Sequence, residues 1–332
     1  MTGGVTFTRS KQFMMTILPM VTLLMLSVLF ISSMAQSARG FEKSHQTVLE
    51  AHSMPLVGQY LSLNGIEAVY QLPSPLDELQ GVLFVAHGCS HSATDWWPKS
   101  SSCTKCVGLP IEMAIVREAI YAHRFAVIGI SSTNRAHKCW SPKDVPRVQE
   151  ALQYFYSNII PGKNVSLHGL GASSGGGFVG FLSQQKLAIP LSSICVQISS
   201  VAGDRVGNMP PTLFVLMSRD EHTLSHVKGT ANGIAKSNIL VTSPKEIKPE
   251  FFSSRSGRFI SVEESRTIQA ALKNGNMLDD KLLLVEDPRG SNWREVRLFS
   301  LELKLLRCSH FDVDVDCEGR RSKPGRKRQS GG

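Results

Sequence analysis

Three small residues around one turn have the spacing of a serine nucleophile. Gly171, Ser173 and Gly175 form G-x-S-x-G directly after the apolar segment 165–168. At a sharp strand-to-helix turn, small residues on both sides of the serine let the two backbones approach, and the helix N-terminus favours developing negative charge. The pattern predicts Ser173 as nucleophile, with Ser174 as the alternative if the register differs by one. A phosphate-binding glycine loop is disfavoured because no G-x-x-x-x-G-K-[ST] is present.

A second segment supplies candidate donors for the negative charge that such a nucleophile generates. The apolar run 81–86 (GVLFVA) leads into His87-Gly88-Cys89. In hydrolases built on this kind of turn, one donor is an amide of the loop after an earlier strand, and the other is the amide after the nucleophile. The expected oxyanion donors are therefore the N–H groups of Cys89 and Ser174, although a simple strand-end turn is the alternative. The other histidines near these segments are expected to be structural or pocket residues: His91 and His168.

The remaining pattern predicts the elements that position these residues. Short β-branched runs alternate with helix-compatible stretches, which is typical of βαβ units and a mostly parallel sheet in one α/β domain. Residues 60–63 and 68–72 are predicted to form an edge hairpin around Asn64-Gly65, and Asp144 could cap a helix. The expected strands are 81–86, 125–130, 165–168, 193–198, 212–217 and, more weakly, 239–242. The expected helices are 111–123, 145–159, 177–185 and 224–235, with a helical insertion or cap at 243–280 that includes 261–273.

Four longer segments resemble a known superfamily. The segments HGCSHSATDWW, LPIEM, GASSGGGF and VEDPRGSNWRE are similar to plant-type α/β-hydrolase superfamily proteins and, more distantly, to the esterase and polyhydroxybutyrate depolymerase branch. The resemblance covers about residues 60–295. It implies an α/β-hydrolase fold, with a mostly parallel central sheet flanked by helices and a helical insertion before the C-terminus. It also implies serine-hydrolase chemistry. We expect a small-molecule or polymer ester as substrate, and neither a cofactor nor a metal.

The resemblance also implies an acid for the catalytic triad. In this fold the acid follows the nucleophile strand by two strands, and Asp220 after the segment 212–217 fits that place. It would orient the imidazole of the base and stabilise its cation. A helix N-cap is the alternative role of Asp220, and Glu221 is the alternative acid.

The base is where the sequence departs from the resembled family. The family places a histidine in a segment similar to N-x-A-x-x-x-H-E near the C-terminus, but here the family-like pattern ends at Glu295. His310 is the only histidine after the segment 224–235 and is therefore the candidate base, whereas His222 is too close to the acid. We hypothesise a non-homologous replacement after Glu295. The alternative function is then a catalytically impaired protein with a binding role.

Cysteine placement predicts disulfides. Cys89, Cys103, Cys106 and Cys139 cluster around the predicted oxyanion loop and the following strand. In a secreted chain two bridges are expected, and the sequence leaves all three connectivities open. Cys103-x-x-Cys106 could instead be half of a zinc site, but no second matching pair exists. Cys195 is expected to be a core thiol.

Two further features each allow two interpretations. Asn164-Val165-Ser166 is a glycosylation sequon, but its position at the start of the strand before Ser173 predicts poor access. Trp96 and Trp97 either line the substrate cleft or pack the loop that carries them.

The N-terminal segment indicates where the protein is located, and the distribution of charge indicates which partners to expect. Arg9 and Lys11 precede an apolar run at 13–34, so residues 1–38 are predicted to be a signal peptide or a membrane anchor. The hydrolase domain is then expected at 39–317 in the secretory pathway, secreted or anchored through residues 13–34.

The 36 basic and 27 acidic residues give a net charge of +9, much of it in a basic tail at 318–332. We expect no specific nucleic-acid partner; an interaction protein acting through the tail is a weaker third class. The 42% hydrophobic content excludes a disordered chain, and the oligomeric state is left open.

Overall fold

The structure, a computed structural model, describes residues 54–201, 206–256, 260–286 and 291. The predicted signal peptide or anchor at 1–38, the candidate base His310 and the basic tail at 318–332 lie outside the described residues. The chain divides into two compact units between Ile194 and Cys195. The single hydrolase domain over 39–317 stays a prediction.

The first unit alternates strands with helices. Its strands are β1 (Gln59–Leu63), β2 (Ile66–Gln71), β3 (Gly81–Ala86), β4 (Phe125–Ile130) and β5 (Ser166–Ala172). Its α-helices are α1 (Pro110–Arg117), α2 (Val145–Tyr154) and α3 (Ser174–Leu182), the first two extended by π-helical turns at Glu118–Ala122 and Phe155–Ile159. Short 3-10 turns occupy Leu76–Glu78, Ala93–Trp96 and Pro142–Asp144. A further strand, β6 (Leu191–Gln197), crosses the boundary between the units.

These strands form a mixed sheet in the order β1-β2-β4-β3-β5. The pairs β1–β2 and β2–β4 are antiparallel, whereas β3 is parallel to both β4 and β5. The side chains of β3 and β4 are almost all buried, as expected for continuous apolar strands in the parallel part of a sheet that helices flank. The predicted α/β class is confirmed.

The predicted edge hairpin is also confirmed. Leu63 pairs with Ile66 across the two-residue turn of Asn64 and Gly65. Both turn residues have positive φ, 49° and 76°. A two-residue hairpin turn of this kind matches the twist of the strands, and asparagine and glycine tolerate it best.

A large apolar cluster of the first unit contains the two tryptophans whose role the sequence left open. Trp97 is fully buried and Trp96 is 3% exposed, and both pack in the cluster that includes Val85 and Val127. The indole N–H of Trp97 donates to Gln71 Oε1 at 3.1 Å. Both residues are therefore core residues, and the cleft-lining interpretation is wrong.

The cap before α2 differs from the prediction. Asp144 occupies the N-cap position of α2 but bonds none of its amides. Its carboxylate instead accepts from the amides of Ser141 at 2.8 Å and Thr133 at 2.6 Å. The buried carboxylate is thus used to close the preceding turn and to hold the loop after β4.

The second unit contains a parallel strand pair and three helices. Strands β7 (Thr212–Met217) and β8 (Ser237–Thr242) run parallel, with Val215 paired to Leu240. The helices are α4 (Glu221–Ala231), α5 (Ser253–Ser256) and α6 (Val262–Asn274), and a 3-10 turn lies at Val206–Asn208.

The predicted helical stretch at 261–273 is confirmed as α6. Ser261 and Glu264 form its capping box, in which the Glu264 amide donates to Ser261 Oγ at 3.1 Å. Leu272 packs with Ile247 and Leu278 in a small apolar cluster, which is why this polar stretch folds locally. None of the helices in the described ranges is long and apolar enough to cross a membrane.

Candidate active site

Ser173 lies at a sharp turn between β5 and α3. Its backbone has φ 53° and ψ −122°, a region that non-glycine residues rarely adopt. Strand β5 ends at Ala172 and helix α3 begins at Ser174. The strand, turn and helix around the G-x-S-x-G pattern are as predicted. Strained backbone of this kind persists only where the surrounding structure enforces it, and it clusters at functional sites.

The flanking glycines explain how the turn is enforced. A β carbon on Gly171 would lie 2.3 Å from the Gly175 carbonyl oxygen. One on Gly175 would lie 2.3 Å from the carbonyl oxygen of Ala86 and 2.4 Å from that of His87. Since these contacts are with backbone, no side-chain movement can relieve them. Both glycines are therefore required for the close approach of β5, α3 and the end of β3.

The two predicted oxyanion donors belong to segments in contact with each other. The space beside Gly88 is bordered by the Ala172 carbonyl oxygen and by Ser173 Cβ, 3.6 Å and 3.8 Å from where a β carbon would sit. Among the described residues, neither the Cys89 amide nor the Ser174 amide donates to a protein acceptor. The loop after β3 and the start of α3 thus present two unbonded N–H groups near Ser173.

The loop that carries Cys89 is tied to the loop after β4. A disulfide joins Cys89 to Cys139, and the Ser90 amide donates to the His137 carbonyl at 2.9 Å. A second disulfide joins Cys103 to Cys106. The predicted disulfides are present with this connectivity, and the zinc alternative at Cys103-x-x-Cys106 is wrong because the two sulfurs are bonded to each other. The part of the chain that is described holds no group of three or more potential metal ligands.

His87 is held in one neutral tautomer beneath this loop. Its Nδ1 donates to the Gly88 carbonyl at 2.7 Å, and its Nε2 accepts from the Ser132 amide at 3.1 Å. The ring is 2% exposed, and Trp140 packs against it and donates to its carbonyl oxygen. Burial lowers the pKa of His87 from 6.5 to about 4. His87 therefore positions the loop and stays uncharged at neutral pH.

This burial predicts a pH-dependent stability. Because the folded pKa of His87 lies below the unfolded value, its contribution is complete above about pH 6.5 and is lost as the pH falls towards 4. The expected loss is about 3 kcal/mol of unfolding free energy across this window. Urea unfolding from pH 7 to 4 measures it as the difference between wild type and His87→Asn. The exposed His123 provides the matched control His123→Asn, for which a difference of the same size would contradict the prediction.

Asp220 lies at the turn after β7, in the second unit. It is half-buried, and its carboxylate accepts from the Thr223 amide at 3.1 Å as the N-cap of α4. The alternative N-cap role is thus observed, which leaves the acid role a prediction. His222 and His226 lie exposed on α4 with ring centroids 4.5 Å apart.

Three further features near these elements are a histidine, a free cysteine and a histidine–aspartate pair. His168 bonds the hydroxyls of Ser166 and Ser193 and stacks on Phe125, a structural role as expected. Cys195 is a half-buried free thiol whose pKa is raised by burial. The sequence did not predict the pairing of His91 with Asp95, although their spacing of four residues was a signal.

Comparison with known proteins extends to structures only, since no protein-family model and no curated protein matches the sequence. A CIB-like hydrolase from Thermoplasma acidophilum is 17% identical with a TM-score of 0.42, covering 67% of this chain and 100% of that chain. Est1E from Butyrivibrio proteoclasticus is 11% identical with a TM-score of 0.38, covering 56% and 88%. A cold-adapted esterase from an Arctic intertidal metagenomic library is 13% identical with a TM-score of 0.41, covering 56% and 83%.

The predicted α/β-hydrolase fold is confirmed. The first unit has antiparallel edge strands, a parallel centre, and a strand–turn–helix with Ser173 at its apex, which is the arrangement that defines this fold. The resemblance to plant-type proteins and to the depolymerase branch stays a prediction.

Proposed function

We propose that this protein is a serine hydrolase that cleaves carboxylic esters of small molecules or polymers through an acyl-enzyme on Ser173. The observation that carries the proposal is the strained turn at Ser173, where a β carbon on either flanking glycine would collide with backbone and where the amides of Cys89 and Ser174 donate to no protein acceptor among the described residues. Such preorganised donors are worth several kcal/mol of transition-state stabilisation in a serine hydrolase, roughly 3–4 for each.

In the proposed reaction Ser173 Oγ attacks the ester carbonyl carbon, and its proton passes to a base. The amides of Cys89 and Ser174 donate to the oxygen that becomes negatively charged. Collapse of this intermediate expels the alcohol, which takes the proton from the base. Water then attacks the acyl carbon, releases the carboxylic acid and restores the Ser173 hydroxyl.

The proposal assigns the base to His310 and its orienting acid to Asp220. Chain order supports this assignment, because nucleophile, acid and base follow one another in this fold in that order. Because the family-like pattern ends before His310, the competing function is that of a binding protein whose catalytic site is impaired.

Labelling with a fluorophosphonate, which reacts with activated serines, tests the proposed function. Wild type should be labelled, Ser173→Ala should not, and the matched control Ser192→Ala, an exposed serine on β6, should be labelled as wild type is. Ser174→Ala checks the register and should keep the label. A folded wild-type protein that takes no label would overturn the proposed hydrolase function and favour the role of a binding protein. Loss of the label in Ser174→Ala alone would move the nucleophile to Ser174.

We further propose that the chain enters the secretory pathway, with membrane anchoring through residues 13–34 if the N-terminal segment is retained. The two disulfides are compatible with an oxidising compartment. Asn164, in the loop that leads into β5, and Ser166, the first residue of β5, are both exposed in the structure. The expectation that this sequon is poorly accessible is therefore wrong.

Secretion predicts a glycan on Asn164, since Asn164-Val165-Ser166 is the only sequon of the sequence. The full chain expressed in a eukaryotic secretory host should show a gel shift that an N-glycosidase removes. Asn164→Gln should abolish the shift, whereas the exposed Asn158, which lies outside any sequon, should tolerate Asn158→Gln with the shift intact. A secreted wild type without the shift would contradict the prediction.

A further inference from the structure

His91 and Asp95 form an ordered pair on the loop that follows β3. His91 Nδ1 lies 2.9 Å from Asp95 Oδ2, and the same oxygen accepts from the Ser92 amide at 3.1 Å. The Asp95 side chain is only 14% exposed, whereas that of His91 is 43% exposed. Because the carboxylate can only accept, Nδ1 carries a proton. The carboxylate therefore fixes the ring and leaves Nε2 for another partner.

The Cδ2 edge of the His91 ring borders the same space beside Gly88 that Ser173 borders. Its Cδ2 atom, which is bonded to Nε2, lies 3.8 Å from the position that a β carbon on Gly88 would take. Ser173 Cβ lies at the same distance from that position. The Cδ2 atom of His91 and the β carbon of Ser173 are thus within twice that distance of each other.

The charges around the ring favour its cation. The hydrogen bond from His91 to Asp95 raises the pKa of His91, and the nearby Glu112 acts in the same direction. Burial opposes the rise with an effect smaller than that of the hydrogen bond but larger than that of Glu112, and the charge of Lys138 opposes it least, so the pKa of His91 stays raised. His87, which also faces this loop, is neutral. A cation that borders Gly88, the residue before the Cys89 amide, is suited to stabilise negative charge that develops near that amide.

We propose that His91, oriented by Asp95, is a further catalytic residue whose Nε2–H donates to the oxyanion beside the amides of Cys89 and Ser174. This inference rests on the proposed hydrolase function. It differs from the role of a base, because the ring is active when it is protonated and its loop is the one that carries the Cys89 amide. Asp95 is then a positioning residue that acts through His91.

Esterase kinetics with p-nitrophenyl acetate on the full chain test this role. Loss of one donor from an oxyanion hole lowers kcat by about 10² to 10³, and the partial exposure of His91 reduces the expected loss in His91→Ala to about 10- to 100-fold. His91→Gln keeps a neutral donor and should retain more activity than His91→Ala. Asp95→Asn should lower kcat with a smaller change in KM. His123→Gln, at an exposed histidine remote in sequence from the site, should match wild type.

The pH profile separates a cationic donor from a base. For wild type, kcat/KM should decline as the pH rises through the pKa of His91, and this decline should be absent in His91→Gln. A His91→Ala variant within twofold of wild type, or a profile unchanged in His91→Gln, would overturn the inference. The inference would also be overturned if wild-type activity rose with pH and His91→Gln lost that rise, because such a rise is the signature of a base.

Fluorophosphonate labelling distinguishes the two failures. Label on Ser173 together with unaltered kinetics in the His91 variants overturns the role of His91 and leaves the proposed hydrolase standing. No Ser173-dependent label in folded wild type overturns the hydrolase and the role of His91 together.

Discussion

Gly175→Ala is expected to abolish hydrolysis and to destabilise the fold. The new β carbon would lie 2.3 Å and 2.4 Å from two backbone oxygens at the end of β3, so α3 and the oxyanion loop must move apart by about 1 Å. A displacement of that size costs about 100-fold in rate even when no reacting group is lost. The free energy of unfolding should fall by about 3 kcal/mol, as for severe overpacking.

Ester hydrolysis and urea unfolding measure the two effects. Gly229→Ala is the matched control, because a β carbon there has no atom within 4 Å and the residue lies inside α4. It should keep wild-type activity and gain up to about 1 kcal/mol from helix propensity. Ser173→Ala should lose activity without the loss of stability. A Gly175→Ala variant with wild-type rates would show that the close approach does not position the site.

Strands with continuous apolar runs could be predicted from the sequence to the residue. The segments 81–86, 125–130 and 212–217 match β3, β4 and β7. In β3 and β4 nearly every residue is buried, which leaves a strong and local signal, whereas β7 alternates buried and exposed residues although its sequence is a continuous apolar run. Strand β5 extends past the predicted 165–168 through Gly169–Ala172. Those residues have weak strand propensity, and their pairing with β3 decides their conformation.

Helix starts were less predictable for a similar reason. Helix α3 begins at Ser174, three residues before the predicted start, within a glycine run of poor helix propensity. The packing of Gly175 against the end of β3 outweighs that propensity. Helix α4 begins at Glu221 because Asp220 caps it, whereas the apolar pattern alone indicated a start at 224.

In the candidate site, too, the features set by local sequence could be predicted, and those set by contacts between distant segments could not. The G-x-S-x-G spacing and the strand before it located Ser173, because the geometry of a tight turn is encoded within a few residues. The disulfide connectivity, the burial of Trp97 and the approach of His91 to Ser173 depend on contacts between segments distant in sequence. No local pattern determines such contacts.

Removing the disulfide between Cys89 and Cys139 is expected to lower both stability and activity. The bond closes a loop of 50 residues, for which chain entropy gives about 4 kcal/mol of stabilisation. It also anchors the residue whose amide is the proposed oxyanion donor. Alanine keeps the amide of residue 89, so any loss of rate in the double variant Cys89→Ala/Cys139→Ala reports position and not the loss of a donor. We expect a decrease in kcat of at least about 10-fold, with KM less affected.

The second disulfide supplies the matched control. Cys103 and Cys106 are three residues apart, so their bond contributes about 2 kcal/mol at most by the same relation. The double variant Cys103→Ala/Cys106→Ala should therefore unfold at lower urea than wild type while its kcat stays near the wild-type value. Equal rates in both double variants, with the larger stability loss confined to Cys89→Ala/Cys139→Ala, would mean that the hydrogen bond from Ser90 to His137 is enough to hold the oxyanion loop. A selective loss of rate means that the disulfide sets the position of the Cys89 amide.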